Sequence, residues 1–259
     1  MLFDWAFFWH YLLQPSKIYL NGLMLTLCVS IIAQGVGTAV GLFGALAGRS
    51  RLKILRFVVG FYVWVMRGTP LLVQIVFIYT GLAAANIFRF EDINLGFMTL
   101  PGNIQAGILA LTLNEGAYMT EIIRAGISSV GIGQTEAAKS LGMTYWLYMR
   151  RVILPQAARV IIPPLGNEFN SMLKNTTLLS VIGVPELLLA TQMVTSATFR
   201  VFELYLVVAC YFLSLTTLWS IVQRHLERRY GDQKSQVGLA KQSSGFGRLV
   251  GLSNSSERK

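Results

Sequence analysis

The residues that could do chemistry in this sequence are few, and most lie inside apolar stretches. At about 100° per residue, Asn167, Glu168, Asn170, Ser171, Lys174 and Asn175 fall within about 160° of one helical arc. Phe169, Met172 and Leu173 fall on the other side. One polar face on an apolar helix suits a water-filled path or a subunit interface, and intramembrane ionisable residues are functional candidates. The alternative is that Glu168 and Lys174 pair with neighbouring helices, or that Lys174 snorkels to the headgroups. A second set, Asn114, Tyr118 and Glu121, shares a face at i, i+4 and i+7. Glu115 flanks that face, about 60° from Tyr118 and about 120° from Glu121. The two glutamates stand about 9 Å apart along the axis, so they can border one wide cavity but cannot hold one small group. Arg124 stands three residues after Glu121, which suits a local ion pair. Glu115 has no such neighbour and either touches a solute or hydrogen-bonds to an adjacent helix while protonated. Gly116 beside it permits close approach of that helix.

Other chemistries fail on residue supply. The two histidines, His10 and His225, stand near opposite ends of the chain, and Cys28 and Cys210 each lie in an apolar stretch without metal-ligand spacing. No Gly-rich phosphate loop is present. The reading is therefore a chain that is not an enzyme, with no catalytic residue, metal or cofactor, and any ATP chemistry left to a partner.

Composition indicates the elements that carry these residues. The chain is 54% hydrophobic and 13% charged, against about a quarter charged in soluble domains. The net charge of +10 comes from basic clusters beside apolar stretches, which argues against a nucleic-acid partner. An all-α, polytopic bundle of five spans in a lipid bilayer is expected, at about Tyr19–Ala47, Pro70–Ala85, Ile104–Ile123, Val160–Ile182 and Phe202–Val222. In the first span Ala33, Gly37, Gly41 and Ala45 recur at every fourth position, a seam for close helix packing. Arg67-Gly68-Thr69-Pro70 interrupts the second apolar stretch. Thr69 is a candidate N-cap and Pro70 a candidate first helical residue, after an oblique or surface helix over Ile54–Met66. One long, broken helix is the alternative. Residues 1–18, rich in Trp and Phe, suit an interfacial segment, residues 19–230 the membrane domain, and residues 231–259 a disordered tail.

Lys and Arg concentrate in the first-to-second and third-to-fourth connections and after the fifth span. The positive-inside rule then places the N-terminus outside and the C-terminus in the cytoplasm. The third-to-fourth connection, about residues 125–159, is too long for a simple turn. Glu136 to Leu141 favours helix, with Gln134 or Thr135 as N-cap and Gly142 as its left-handed terminator. A second short helix from about Tyr145 to Val152 would run back to Pro155. That makes either a docking knob or a solvated connector.

Glu136-Ala137-Ala138, Ser140, Leu141, Gly142 and then Val152 to Pro155 resemble the EAA loop of bacterial ABC importer permeases, with Val152 where Ile is usual. Arg67 to Gln74, Leu113 to Glu121 and Pro164 to Asn175 resemble the polar amino acid branch of that family, of the histidine, glutamine, arginine and glutamate type. The resemblance implies a multi-pass permease of the inner membrane, working by alternating access with a polar amino acid as substrate. It implies as partners a cytoplasmic ABC ATPase dimer, a second permease subunit, identical or a sister chain, and a periplasmic amino acid-binding protein. The rival readings are an ion-coupled secondary transporter, for which no internal repeat is visible, and a non-transporting membrane scaffold.

Overall fold

The computed structural model describes residues 3–94, 96 and 99–230, and over these the chain is almost entirely helical. The expected disordered tail lies outside the described residues. In chain order the elements are α1 (Trp5–Leu13), α2 (Lys17–Ala47), α3 (Lys53–Gly68) and α4 (Leu71–Val76), which passes through a π-helical turn (Phe77–Gly81) into α5 (Leu82–Ala84). A two-stranded antiparallel hairpin, β1 (Ile93–Asn94) and β2 (Thr99–Leu100), precedes α6 (Gly102–Ser128). Then come α7 (Ile132–Ser140), α8 (Tyr145–Tyr148), a π turn (Met149–Ile153), α9 (Leu154–Asn175), a 3₁₀ segment (Thr176–Ile182), α10 (Leu187–Thr198) and α11 (Val201–Tyr230).

Among the described residues, Lys17–Ala47 and Val201–Arg229 are each long and apolar enough to cross a membrane. Two bent pairs raise the count to four: Lys53–Gly68 with Leu71–Ala84, turned by 107°, and Tyr145–Ile182 with Leu187–Thr198, turned by 51°. The expected third span coincides with α6, whose apolar residues alternate with Asn, Thr, Glu and Gly. At 27 residues it has the length of a bilayer crossing, about 40 Å, but it is not among the helices apolar enough to count as a span.

α2 and α6 form the axis of the molecule. Ala33, Gly37, Gly41 and Ala45 are all buried on α2. A Cβ on Gly37 would stand 2.8 Å from Glu115 Cβ, and one on Gly41 2.8 Å from the Met119 carbonyl carbon. The recurrent small residues are thus a packing seam, where missing side chains let two backbones approach. Around this seam the core divides along the axis. At one end Phe8 and Tyr19 pack with Leu187 and Leu204; at the other, Ala45, Ile123 and Ile127 pack with Ala138, Tyr148 and Ile153.

Several local expectations are corrected. α7 begins after Gly131, earlier than the proposed caps Gln134 and Thr135, both of which lie within the helix. The return helix does not end at Pro155. It runs through the π turn into α9, and Pro155 sits in the first turn, where a missing N–H costs little. The N-cap of α4 is Pro70, and its first helical residue is Leu71. Thr69 is diverted because its hydroxyl donates to the Val65 carbonyl at 2.8 Å, closing the end of α3. α10 was not expected. Glu186 begins it, accepting from the N–H groups of Leu188 and Leu189, both at 2.8 Å.

Candidate functional site: a polar seam, an open face and an exposed knob

The sharp bend between α3 and α4 leaves backbone carbonyls without helical partners, and side chains fill them. Gln74 Nε2 reaches the carbonyl of Met66 at 2.8 Å, and the carbonyl and hydroxyl oxygens of Thr69 at 3.1 and 2.8 Å. Asn114 Nδ2, from α6, donates to the Met66 carbonyl at 3.1 Å and to Gln74 Oε1 at 3.0 Å. Tyr62 OH donates to the Leu113 carbonyl. Asn114 therefore fastens the bend and is buried there. Gln74, Gln34 and Tyr62 were missed as network residues, because a lone amide or phenol in a sequence gives no sign of a partner many residues away.

The face expected for Asn114, Tyr118 and Glu121 exists and looks onto α3. Arg67 lies over the Tyr118 ring, its guanidinium carbon 5.2 Å from the centroid and its Nη1 3.8 Å from Glu121 Oε2. Glu121 accepts from Arg124 through two bonds, 2.9 and 2.6 Å. Arg67 thus joins α3 to α6, while Gly68 meets nothing that a side chain would clash with. Glu115 bonds to α2 instead. It is 4% exposed, and its Oε1 accepts from Gln34 Nε2 of α2 at 2.7 Å. Gln34 Oε1 has no partner among the described residues. Gly116 fits against Val40 and the Tyr62 hydroxyl.

On α9 the polar face divides. Asn167 Oδ1 accepts from Gln223 Nε2 of α11 at 3.1 Å, and Trp219 Nε1 donates to the Gly166 carbonyl at 2.7 Å. Phe169 lies against the Trp219 ring, and Met172 and Leu173 are buried. The remaining polar residues do not share those contacts. Lys174 is exposed and forms no ion pair among the described residues, while Glu168, Asn170, Ser171 and Asn175 are half-buried. Asn170 Oδ1 is shielded from solvent without a hydrogen-bond partner.

At the basic end, α7 buries Ala138 alone. Glu136, Ala137 and Ser140 are exposed, as is Pro155. Leu141 is 80% exposed, and Ile132 and Trp146 flank it with large free surfaces. Gly142 has φ +72°, the left-handed conformation expected of the residue that ends such a helix. The knob is rooted rather than loose: Ala138, Tyr148 and Met149 pack with Ile123 and Ile127 of α6.

Residues 38–232 match the model of a family described as binding-protein-dependent transport system inner membrane component. The glutamine transport system permease protein GlnP of Escherichia coli is 35% identical over 229 residues, covering 88% of this chain and 98% of that protein. The probable glutamine ABC transporter permease protein GlnM of Bacillus subtilis is 39% identical over 218 residues, covering 84% and 95%. In three dimensions the chain is similar to a subunit in a crystal structure of an amino acid ABC transporter with histidines, with TM-score 0.76 and 40% identity, covering 88% of this chain and 100% of that one.

Proposed function

The chain belongs to the family of binding-protein-dependent transport system inner membrane components, and from that premise we propose that it is the permease subunit of an ATP-driven importer of polar amino acids. The single observation that carries the mechanical part of this reading is the knob. A well-formed helix with one buried residue, ended by a left-handed glycine and surrounded by large exposed apolar side chains, requires a partner to cover it.

In this reading the chain crosses the bacterial inner membrane five times, with its N-terminus outside. A cytoplasmic ATPase dimer docks on Glu136 to Gly142, Pro155 borders that contact, and a binding protein delivers the solute from the opposite side. A second permease subunit, identical or sister, completes the pathway. Closure of the ATPases displaces α7. Because the knob is rooted on α6 and continuous with α9, the displacement reaches both helices. The π turn at Met149–Ile153 serves as the joint, since such turns break the regular hydrogen-bond ladder. Glu168, Asn170, Ser171, Lys174 and Asn175 line the route, with Arg67, Tyr118 and Glu121 at its border. Asn114, Glu115 and Asn167 hold the surrounding helices in register.

The test is uptake of labelled glutamine, arginine, glutamate and histidine by proteoliposomes. They contain the chain with its copurified subunits, and binding protein is added outside. Uptake that requires ATP inside supports the proposal. Uptake by the chain without any ATPase, driven by an ion gradient, would replace it with a secondary transporter. Absence of uptake in an assembled, ATP-hydrolysing complex would favour a scaffold.

A further inference from the structure

α3 has three sides. At about 100° per residue, Tyr62 and Met66 face α6, where Tyr62 is bonded to Leu113. Ile54, Phe57, Phe61 and Trp64 form an exposed apolar side, with Phe57 69% and Trp64 71% exposed. Arg56, Val59, Gly60, Val63 and Arg67 occupy the third side, within about 100° of arc.

This third side is not flat. Together with Trp64 of α3, Gly44 of α2, Gly48 just beyond its end, and Thr120, Glu121 and Arg124 of α6, it lines an open cavity of about 320 Å³. Its charges are three arginines, Arg56, Arg67 and Arg124, against one glutamate. Glu121 is committed to Arg124 and Arg67, which leaves Arg56 without an ion pair among the described residues. The cavity adjoins a run of further cations, Arg49, Arg51 and Lys53, with no acidic residue between Lys17 and Glu91. A cationic mouth, an apolar wall of Val59 and Val63, and an exposed aromatic side on the same helix make one surface.

We infer that this cavity holds an anionic phospholipid, its phosphate on Arg56 and the outward side of Arg124, its acyl chains along Val59, Val63 and the exposed apolar side of α3. The occupant is chosen by charge and by shape. A free anion would leave the apolar wall uncovered, and a zwitterionic lipid would leave the cationic excess unmatched. The lipid would seal the base of the Arg67–Glu121 group from water and set the tilt of α3 at the headgroup layer. The inference requires that the chain be embedded in a bilayer and does not depend on the solute transported.

The experiment uses the purified complex in mild detergent, incubated with equal amounts of phosphatidylglycerol and phosphatidylcholine and read by native mass spectrometry. Phosphatidylglycerol is expected to be retained in preference. Arg56→Gln should reduce retention about fivefold, the ratio for about 1 kcal/mol per basic residue beside an anionic surface. Gly60→Phe tests the cavity rather than the charge. A Cβ at Gly60 meets no atom within 4 Å, so the ring can enter without disturbing α3, and the retained lipid should be lost. Lys17→Gln, on the opposite end of α2, should change nothing. Equal retention of the two lipids by the wild-type complex overturns the inference, whatever the variants do. So does undiminished phosphatidylglycerol in both variants, or displacement of the lipid by inorganic phosphate, which marks an anion site only. A second copy of the chain covering this side would appear as a wild-type complex with no lipid preference, and would also overturn it.

Discussion

Glu115 and Glu121 lie on the same helix and have opposite surroundings. Glu121 finds its cation three residues on, so its ion pair was legible from spacing alone. Glu115 finds Gln34, a partner 81 positions away in sequence, and no periodicity within α6 could name it. What the sequence did indicate was the vacancy: a deep carboxyl with no cation in reach must either meet a solute or bond to another helix. Its 4% exposure and the 2.7 Å bond favour the second. The same holds for Asn114, whose shared face with Tyr118 was visible while its task at the α3–α4 bend was not. A pair of variants separates the roles. Glu115→Gln keeps an acceptor for Gln34 and should leave thermal stability in detergent near wild type. Glu115→Ala leaves the buried Gln34 Nε2 with only its long 3.4 Å bond to the Thr38 hydroxyl, at a cost of about 1–3 kcal/mol, and should lower the unfolding midpoint. If the alanine variant is as stable as the glutamine variant, the bond has no structural weight and Glu115 returns to the candidates for solute contact.

At the scale of elements, the seam was the most readable feature. Small residues at every fourth position of α2 have a direct physical meaning, close approach, and α6 occupies that approach. The bend at Arg67-Gly68-Thr69-Pro70 was also readable as an interruption, because an arginine is costly in mid-bilayer and Pro70 lacks the N–H that a continuing helix would use. Its angle of 107° was not, since it depends on Gln74 and Asn114 closing the exposed carbonyls. α10 was missed for a related reason. Its N-cap is Glu186, and the apolar run that follows is too short to read as a span. Two glycines of α2 give the seam a quantitative test. A side chain at Gly41 collides with the Met119 backbone, whereas a Cβ at Gly35 meets nothing within 4 Å. Gly41→Leu should cost at least about 1–3 kcal/mol, the usual range for overpacking, and reduce the yield of folded, membrane-inserted chain. Gly35→Leu should be neutral in the same measurement. Equal yields would mean that the α2–α6 contact tolerates expansion and is not the axis of the bundle.

For the molecule as a whole, the decisive property is that its two ends differ. One end joins α1, the start of α2 and the starts of α10 and α11 around Tyr19 and Leu204; the other carries the basic connections and the knob. Charge counting sorts the connections by basic content, and the third-to-fourth connection, one of the basic ones, packs through Ala138, Tyr148 and Met149 onto α6. The knob is therefore part of an arginine-rich connection, rooted by Ala138 and otherwise bare. A surface this apolar is costly in water unless it is covered, and Leu141 is its most exposed large residue next to the left-handed Gly142. Leu141→Asp removes no contact within the chain worth keeping, so insertion and thermal stability should match wild type. Placed at the centre of an ATPase contact, the new charge should weaken association about 30-fold, the ratio for about 2 kcal/mol at a hot spot. The ATPase should then fail to copurify, and ATP-dependent uptake should fall with it. Full copurification together with full uptake would show that the partner docks elsewhere on this end. Full copurification with lost uptake would keep the docking surface near α7 but make Leu141 a transmitter of closure rather than an anchor.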